Sequence, residues 1–199
     1  KNGLCIWRSA PHSGMDNQHV RCGWWGDCFC EGADLNSYLY MKINAFIQLA
    51  ELWQQEDDVK LFRSYAKRIK DVVNRYLWNE DAGFYLDRNE KTGETISCMC
   101  CSGFMPLWAG IADENQARRV IEEHILNPEE FWRDFPVSVM SAKEKGYSEN
   151  YLKNDLGCCW RANTWIPINY IVYQILNRYG YFEKAEELAK KTFEICSKE

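Results

Sequence analysis

The chain lacks any apolar run approaching the roughly 20 residues that a membrane-spanning helix needs, and no signal-peptide pattern opens it. It also lacks a basic cluster. Its 24 Lys and Arg face 29 Asp and Glu, for a formal charge of −5, so a nucleic acid backbone would find no electrostatic partner. These absences exclude membrane and nucleic acid as expected partners and favour a neutral ligand. Ten cysteines are present, but without a metal-binding pattern. Cys22, Cys28 and Cys30 cluster, as do Cys98, Cys100 and Cys101, and Cys98-x-x-Cys101 has the spacing of half a zinc site. No second clean pair completes it, so no metal and no cofactor is assigned. Disulfide frameworks belong to small loop-rich secreted domains, which this chain is not. Reduced thiols and a cytoplasmic setting are the expectation. The first residue is Lys1 rather than Met, as in a fragment or a processed chain.

Aromatic residues, by contrast, are plentiful. A single domain of 199 residues carries nine Trp, eleven Tyr and nine Phe, more than its core requires. Flat aromatic surfaces are what sugar rings stack against, although most individual aromatics serve a core.

Hydrophobic periodicity predicts an all-α fold of antiparallel helical hairpins with at most a short β-hairpin. From Asp34, a plausible N-cap, to Trp53, the apolar residues Leu35, Tyr38, Leu39, Ile43, Phe46, Leu49 and Ala50 recur at spacings of three and four. The pattern resumes from Leu61 to Leu77 after the polar break at Gln54–Asp58. Asn79–Gly83, Phe84-Tyr85-Leu86 and Lys91-Thr92-Gly93 read as a short hairpin or extended loop. Helical segments follow at Gly103–Ile111 and after Asp113, a second plausible cap. Another follows Thr164, with Pro167 in its first turn, and the last runs from Phe182 to Cys196. About six helices result, in sequential pairs. Residues 1–33 and 127–163 do not fit the pattern, and loops of that length are usually functional. They are expected to pack across one end of the helices.

The first of these loops holds Ser13-Gly14-Met15-Asp16-Asn17, just before Trp24-Trp25. A carboxyl group among indole rings is poorly solvated, its charged form is disfavoured, and it can donate a proton near neutral pH. Asp16 is therefore the first candidate for a catalytic acid. Together with Asp34-Leu35-Asn36, Leu77-Trp78-Asn79, Gly83-Phe84-Tyr85, Phe104-Met105-Pro106-Leu107 and Trp160-Arg161 with Trp165 and Asn169-Tyr170, this loop resembles the catalytic domain of inverting α-glycosidases of glycoside hydrolase families 63 and 37. Those families include processing α-glucosidases and trehalases.

The resemblance implies an (α/α)6 toroid of which the single domain 1–199 is about half, the C-terminal half. It implies an oligosaccharide substrate, hydrolysis of an α-glucosidic or related linkage by inversion, and no cofactor. Asp16 would be the general acid. Asn17 and Arg161 would hold sugar hydroxyls, and Trp160 and Trp165 would stack on sugar faces beside Trp24 and Trp25. The second carboxylate would lie at or past Glu199, and no base is assigned. The chain departs from the usual pattern at Gln18, where relatives carry Ser, and at Ala162, where they carry Gly. A half toroid exposes an apolar edge, which calls for a missing half-domain or a second copy of the chain. The alternative function is a carbohydrate-binding or scaffolding module that keeps the aromatic pocket without the base.

Overall fold

The computed structural model describes residues 2–18, 21, 29–149 and 159–197. Three helical hairpins form its body. The first is α2 (Ala33–Leu52) with α3 (Glu56–Tyr76), following a four-residue helix, α1 (Ala10–Ser13). In the second, a 3-10 turn at Cys101–Phe104 leads into α4 (Met105–Ala109). It is followed by α5 (Glu114–Arg119), which widens into a π turn over Val120–Ile125. The third is α6 (Ile166–Arg178) with α7 (Phe182–Ser197). Two short antiparallel pairs complete the secondary structure. Strand β1 (Cys30–Glu31) pairs with β4 (Arg88–Asn89), and β2 (Trp78–Asn79) pairs with β3 (Phe84–Tyr85). No helix among the described residues is long and apolar enough to cross a membrane.

The first helix of each hairpin belongs to an inner row, in which α4 packs against both α2 and α6. Their partners α3 and α7 form the outer row, with the charged faces that such a position requires. Asp113 caps α5 as its sequence suggests. The carboxylate accepts the Gln116 amide at 2.8 Å, and the Gln116 side chain accepts the Asp113 amide at 3.0 Å. At Gly103 the chain passes so close to the Phe84 ring that a Cβ would collide with it, and the same Cβ would lie 2.5 Å from the Tyr85 carbonyl. That close approach lets Phe84, Phe104 and Phe131 meet, with ring centroids 4.9 to 6.1 Å apart, in the middle of the core.

Three helix starts differ from expectation. Helix α2 begins at Ala33 with Gly32 as N-cap, so Asp34 is the second helical residue, and it is fully buried. Helix α3 begins inside the expected polar break, at Glu56. Glu56, Asp57 and Asp58 there place three carboxylates at the positive end of the helix dipole. Helix α6 is preceded by Trp165 rather than capped by Thr164, whose hydroxyl instead donates to the Phe135 carbonyl at 2.7 Å.

Asp34 is better explained by a buried charge network. Arg21, itself 3% exposed, donates through Nη2 to Asp34 at 2.5 Å and through Nε to Asp87. Burial disfavours the guanidinium charge, but the two carboxylates more than offset it and hold the Arg21 pKa well above its usual value. Asp34 also accepts the Trp7 indole N–H at 2.9 Å, and Asp87 accepts the Ala33 amide at 2.8 Å. Segments preceding α2 and α4 are thus tied together at one end of the inner row. The 127–149 segment joins them there, since Cys101 donates its amide to the Val139 carbonyl and Val139 donates its own to Asn163.

Two stability predictions follow from this packing. Arg21→Ala strands two buried carboxylates and is expected to cost ~3–5 kcal/mol in urea unfolding. Arg21→Lys keeps the charge but not the fork, and should fall between that variant and the parent. Gly103→Ala should cost about 1–3 kcal/mol through overpacking, visible as a lower midpoint in the same titration.

Candidate active site

The loop carrying Asp16 is a tight turn. Gly14, at φ 75°, ends α1. The Ser13 hydroxyl then donates to the Ala10 carbonyl at 2.7 Å and accepts the Met15 amide at 3.2 Å. A further hydrogen bond, from the Gln18 amide to the Met15 carbonyl at 3.0 Å, closes a four-residue turn with Asp16 and Asn17 at its two middle positions. Met15 points inward, 4.0 Å from the Cys101 sulfur and 3.5 Å from Arg21 Nη1. Asp16 is left exposed at the tip.

The two residues after Asp16 grip a segment far away in sequence. Asn17 Oδ1 accepts the Trp160 amide at 2.9 Å, and Gln18 Nε2 donates to the Trp160 carbonyl at 2.7 Å. Both polar groups of one peptide residue are therefore held by the Asp16 turn. Asn17 and Gln18 are buried, so water does not compete for these bonds, and each is strengthened by the low local dielectric. Trp160 stacks on Trp165 with centroids 4.2 Å apart and planes 11° apart, and the Trp165 indole donates to the Cys159 carbonyl at 2.9 Å. Arg161 donates through Nε to the Gly146 carbonyl at 2.6 Å, which ties this wall to the 127–149 segment.

Of the residues singled out by sequence, Asp16, Asn17, Trp160, Arg161 and Trp165 thus come together at the inner-helix starts. Trp24 and Trp25 lie outside the described residues, and so does any indole environment they give Asp16. Each of Trp160 and Trp165 turns one ring face to the other, so a ligand would meet the pair as a single aromatic slab. Gln18 and Asp87 were not singled out. Gln18 was visible only as a departure from the usual Ser. For Asp87 the signal was a carboxylate directly after the buried run Phe84-Tyr85-Leu86, a position that demands a partner.

The other carboxylates near the turn are engaged. Asp34 and Asp87 share Arg21, and Glu31 accepts from Arg88 at 2.6 Å and from the Asn2 amide group at 2.9 Å. Asp16 is therefore distinguished from its acidic neighbours by facing solvent at the tip of a braced turn, open to a bound ligand; among the described residues it does not have the poorly solvated setting expected from the sequence. No cluster of three or more potential metal ligands exists among the described residues. The Cys101 thiol is pushed to a higher pKa by burial and by neighbouring Cys100, which leaves it a packing group.

Comparison with known proteins places the fold among glycoside hydrolases. The fold superimposes on a family 63 mannosylglycerate hydrolase from Thermus thermophilus, solved in complex with glucose. The TM-score is 0.80 at 21% identity, over 96% of this chain and 54% of that one. It also superimposes on the neutral trehalase of Saccharomyces cerevisiae, with a TM-score of 0.72 at 22% identity, over 89% of this chain and 33% of that one. In sequence, it is 30% identical to the cytosolic neutral trehalase of Neurospora crassa over 133 residues, which make up 67% of this chain and 17% of that protein. The chain thus spans little more than half of one relative and far less of another, and its three hairpins are about half of an (α/α)6 toroid. The mannosylglycerate hydrolase MGH1-like glycoside hydrolase domain family matches residues 12–199. It begins just before the Asp16 turn, and the chain belongs to that family.

Proposed function

We propose that this chain supplies the acid half of an inverting glycosidase acting on α-glucosidic or related linkages in oligosaccharides. The observation that carries this reading is the rigid coupling of an exposed carboxylate to an aromatic wall, with Asn17 and Gln18 fixing Trp160 at both its amide and its carbonyl. In this reading Asp16 protonates the departing glycosidic oxygen. Arg161 holds sugar hydroxyls, while Asn17, expected from sequence to do the same, is buried and instead fixes the Trp160 backbone, and the Trp160–Trp165 slab, with Trp24 and Trp25, carries sugar faces. Inversion needs a second carboxyl roughly 6.5–9.5 Å away, with a water between. Asp34, Asp87 and Glu31 are held by arginines, so none of these three described carboxylates is free to serve as the base. No cofactor takes part. The relatives' trehalose and mannosylglycerate are the first substrates to test, and the names of the fungal relatives favour a cytosolic setting.

The apolar surface supports the same reading of the architecture. Twelve of the thirteen large hydrophobic residues exposed among the described residues lie on the first and last hairpins, including Phe46, Leu49, Leu52, Trp53 and Tyr65 on one side and Ile166, Tyr170 and Phe193 on the other. These are the two open flanks of a row whose middle is covered. Patches of this kind on a soluble protein mark a missing neighbour. Further helices of the same toroid would cover them and would bring the base.

A binding-only module is the second reading, favoured by the engagement of every described carboxylate near Asp16. Two experiments decide. In a protein that carries the whole toroid, Asp16→Asn should lower sugar release from trehalose, mannosylglycerate or an α-gluco-oligosaccharide by at least about 10³-fold, with sugar affinity retained. An Asp16→Asn protein as active as the parent removes the acid assignment, and affinity without release in the parent favours the binding module. The isolated 199-residue chain should associate or aggregate in size-exclusion chromatography, whereas a well-behaved monomer would count against the half-toroid.

A further inference from the structure

The thirteenth exposed hydrophobic residue, Phe135, belongs to neither hairpin but to the segment before Ser138. It is 59% exposed and lines a cavity of about 620 Å³ between the 133–149 segment, residues 162–164 and Ile195 of α7. Its backbone is fixed. The Phe135 carbonyl accepts the Thr164 hydroxyl at 2.7 Å, Ser138 bridges to Thr164, and Val139 donates to Asn163 at 3.2 Å. A ring presented to solvent on a fixed backbone offers a flat face on which a ligand can stack without ordering the chain.

The cavity adjoins the Trp160–Arg161 wall directly. Asn163 lines it two residues past Arg161, at most about 7 Å of extended chain, and Gly146, which receives the Arg161 bond, directly precedes the cavity residue Tyr147. The polar lining is mixed. Arg133 lies 3.7 Å from Glu149, whose other contact is the Tyr147 hydroxyl at 2.8 Å. Burial and that bond push the Tyr147 phenol up to about 12, so it remains a donor. Asp134 is exposed, and no hydrogen bond or ion pair joins it to another described residue.

We propose that this cavity is an additional sugar subsite, with Phe135 as the platform for one face of a ring and Arg133, Asp134 and Glu149 as partners for its hydroxyls. The proposal rests on the glycosidase reading and extends it, committing the substrate class to chains longer than a disaccharide. The lining selects against other ligands. Two carboxylates against one guanidinium repel an anion, and an apolar ligand would desolvate all three without compensation. A neutral ring with an apolar face and a polar rim satisfies both kinds of group.

The test uses the whole protein carrying Asp16→Asn, so that bound sugar is not consumed. Calorimetry would compare maltose with maltotetraose, and the α-linked mannose disaccharide with its tetrasaccharide. In one series the tetrasaccharide should bind roughly three- to tenfold more tightly than the disaccharide, the gain expected of one aromatic platform. Phe135→Ala should bring that ratio to about one, and Phe135→Trp should restore it. The thermal midpoint should not change in either variant, because the ring is exposed. Equal affinity at both lengths, or a ratio that survives Phe135→Ala, overturns the subsite and leaves the glycosidase reading standing. Absence of sugar binding in both series likewise overturns the subsite, and the glycosidase reading then falls only if trehalose and mannosylglycerate also fail to bind.

Discussion

One guanidinium holds the functional end of this molecule together. Arg21 is buried between Asp34, in the first turn of α2, and Asp87, just before β4, and it also touches Met15 at the base of the Asp16 turn. A single buried cation facing two carboxylates is unstable unless its geometry is fixed, because each unpaired charge in a low-dielectric interior costs several kcal/mol. The demand works in reverse on the chain. The three segments can close over the ends of the inner helices only in the register that brings these groups together. Gly32 is part of the same constraint, since a Cβ there would press into the Asp34 carboxylate and come within 2.8 Å of Arg21 Nη2.

The aromatic residues separate by depth into two uses. Phe84, Tyr85, Phe104 and Phe131 are fully buried and fill the space between the rows of helices. Trp160 and Trp165 are only partly buried and lie in the irregular segment before α6. The excess of aromatic residues over core requirements is thus largely a matter of position. Phe84, Tyr85 and Phe104, joined by Phe131 from the 127–163 connection, pack the core, whereas Trp160 and Trp165 line the end where the Asp16 turn sits.

The helices could be read from the sequence because their signals are local. The spacing of Leu39, Ile43 and Ala50, the cap at Asp113 and the Pro167 in the first turn of α6 each act within a few residues. The three helix starts that differed did so for reasons the local pattern does not contain. Asp34 looks like a cap but pairs with Arg21, and Thr164 looks like a cap but bonds Phe135. The Glu56-Asp57-Asp58 run reads as a loop, but it suits a helix N-terminus. The site was legible as a set of candidates, through the order of short motifs. Its assembly was not, because nothing in residues 13–18 announces a hydrogen bond to a backbone 142 positions away.

That long-range bond couples two parts of the candidate site. Gln18 Nε2 meets the Trp160 carbonyl at 2.7 Å, a reach that a shorter side chain such as Ser would not have. The longer side chain transfers the position of the acid turn to the aromatic slab through the Trp160 backbone, and from there to Arg161 and the cavity wall at residues 162–164. A change at position 18 would therefore displace the wall relative to the acid without altering a residue that faces solvent. Gln18 thus fixes the aromatic wall relative to the Asp16 turn through the backbone, not through contact with a ligand.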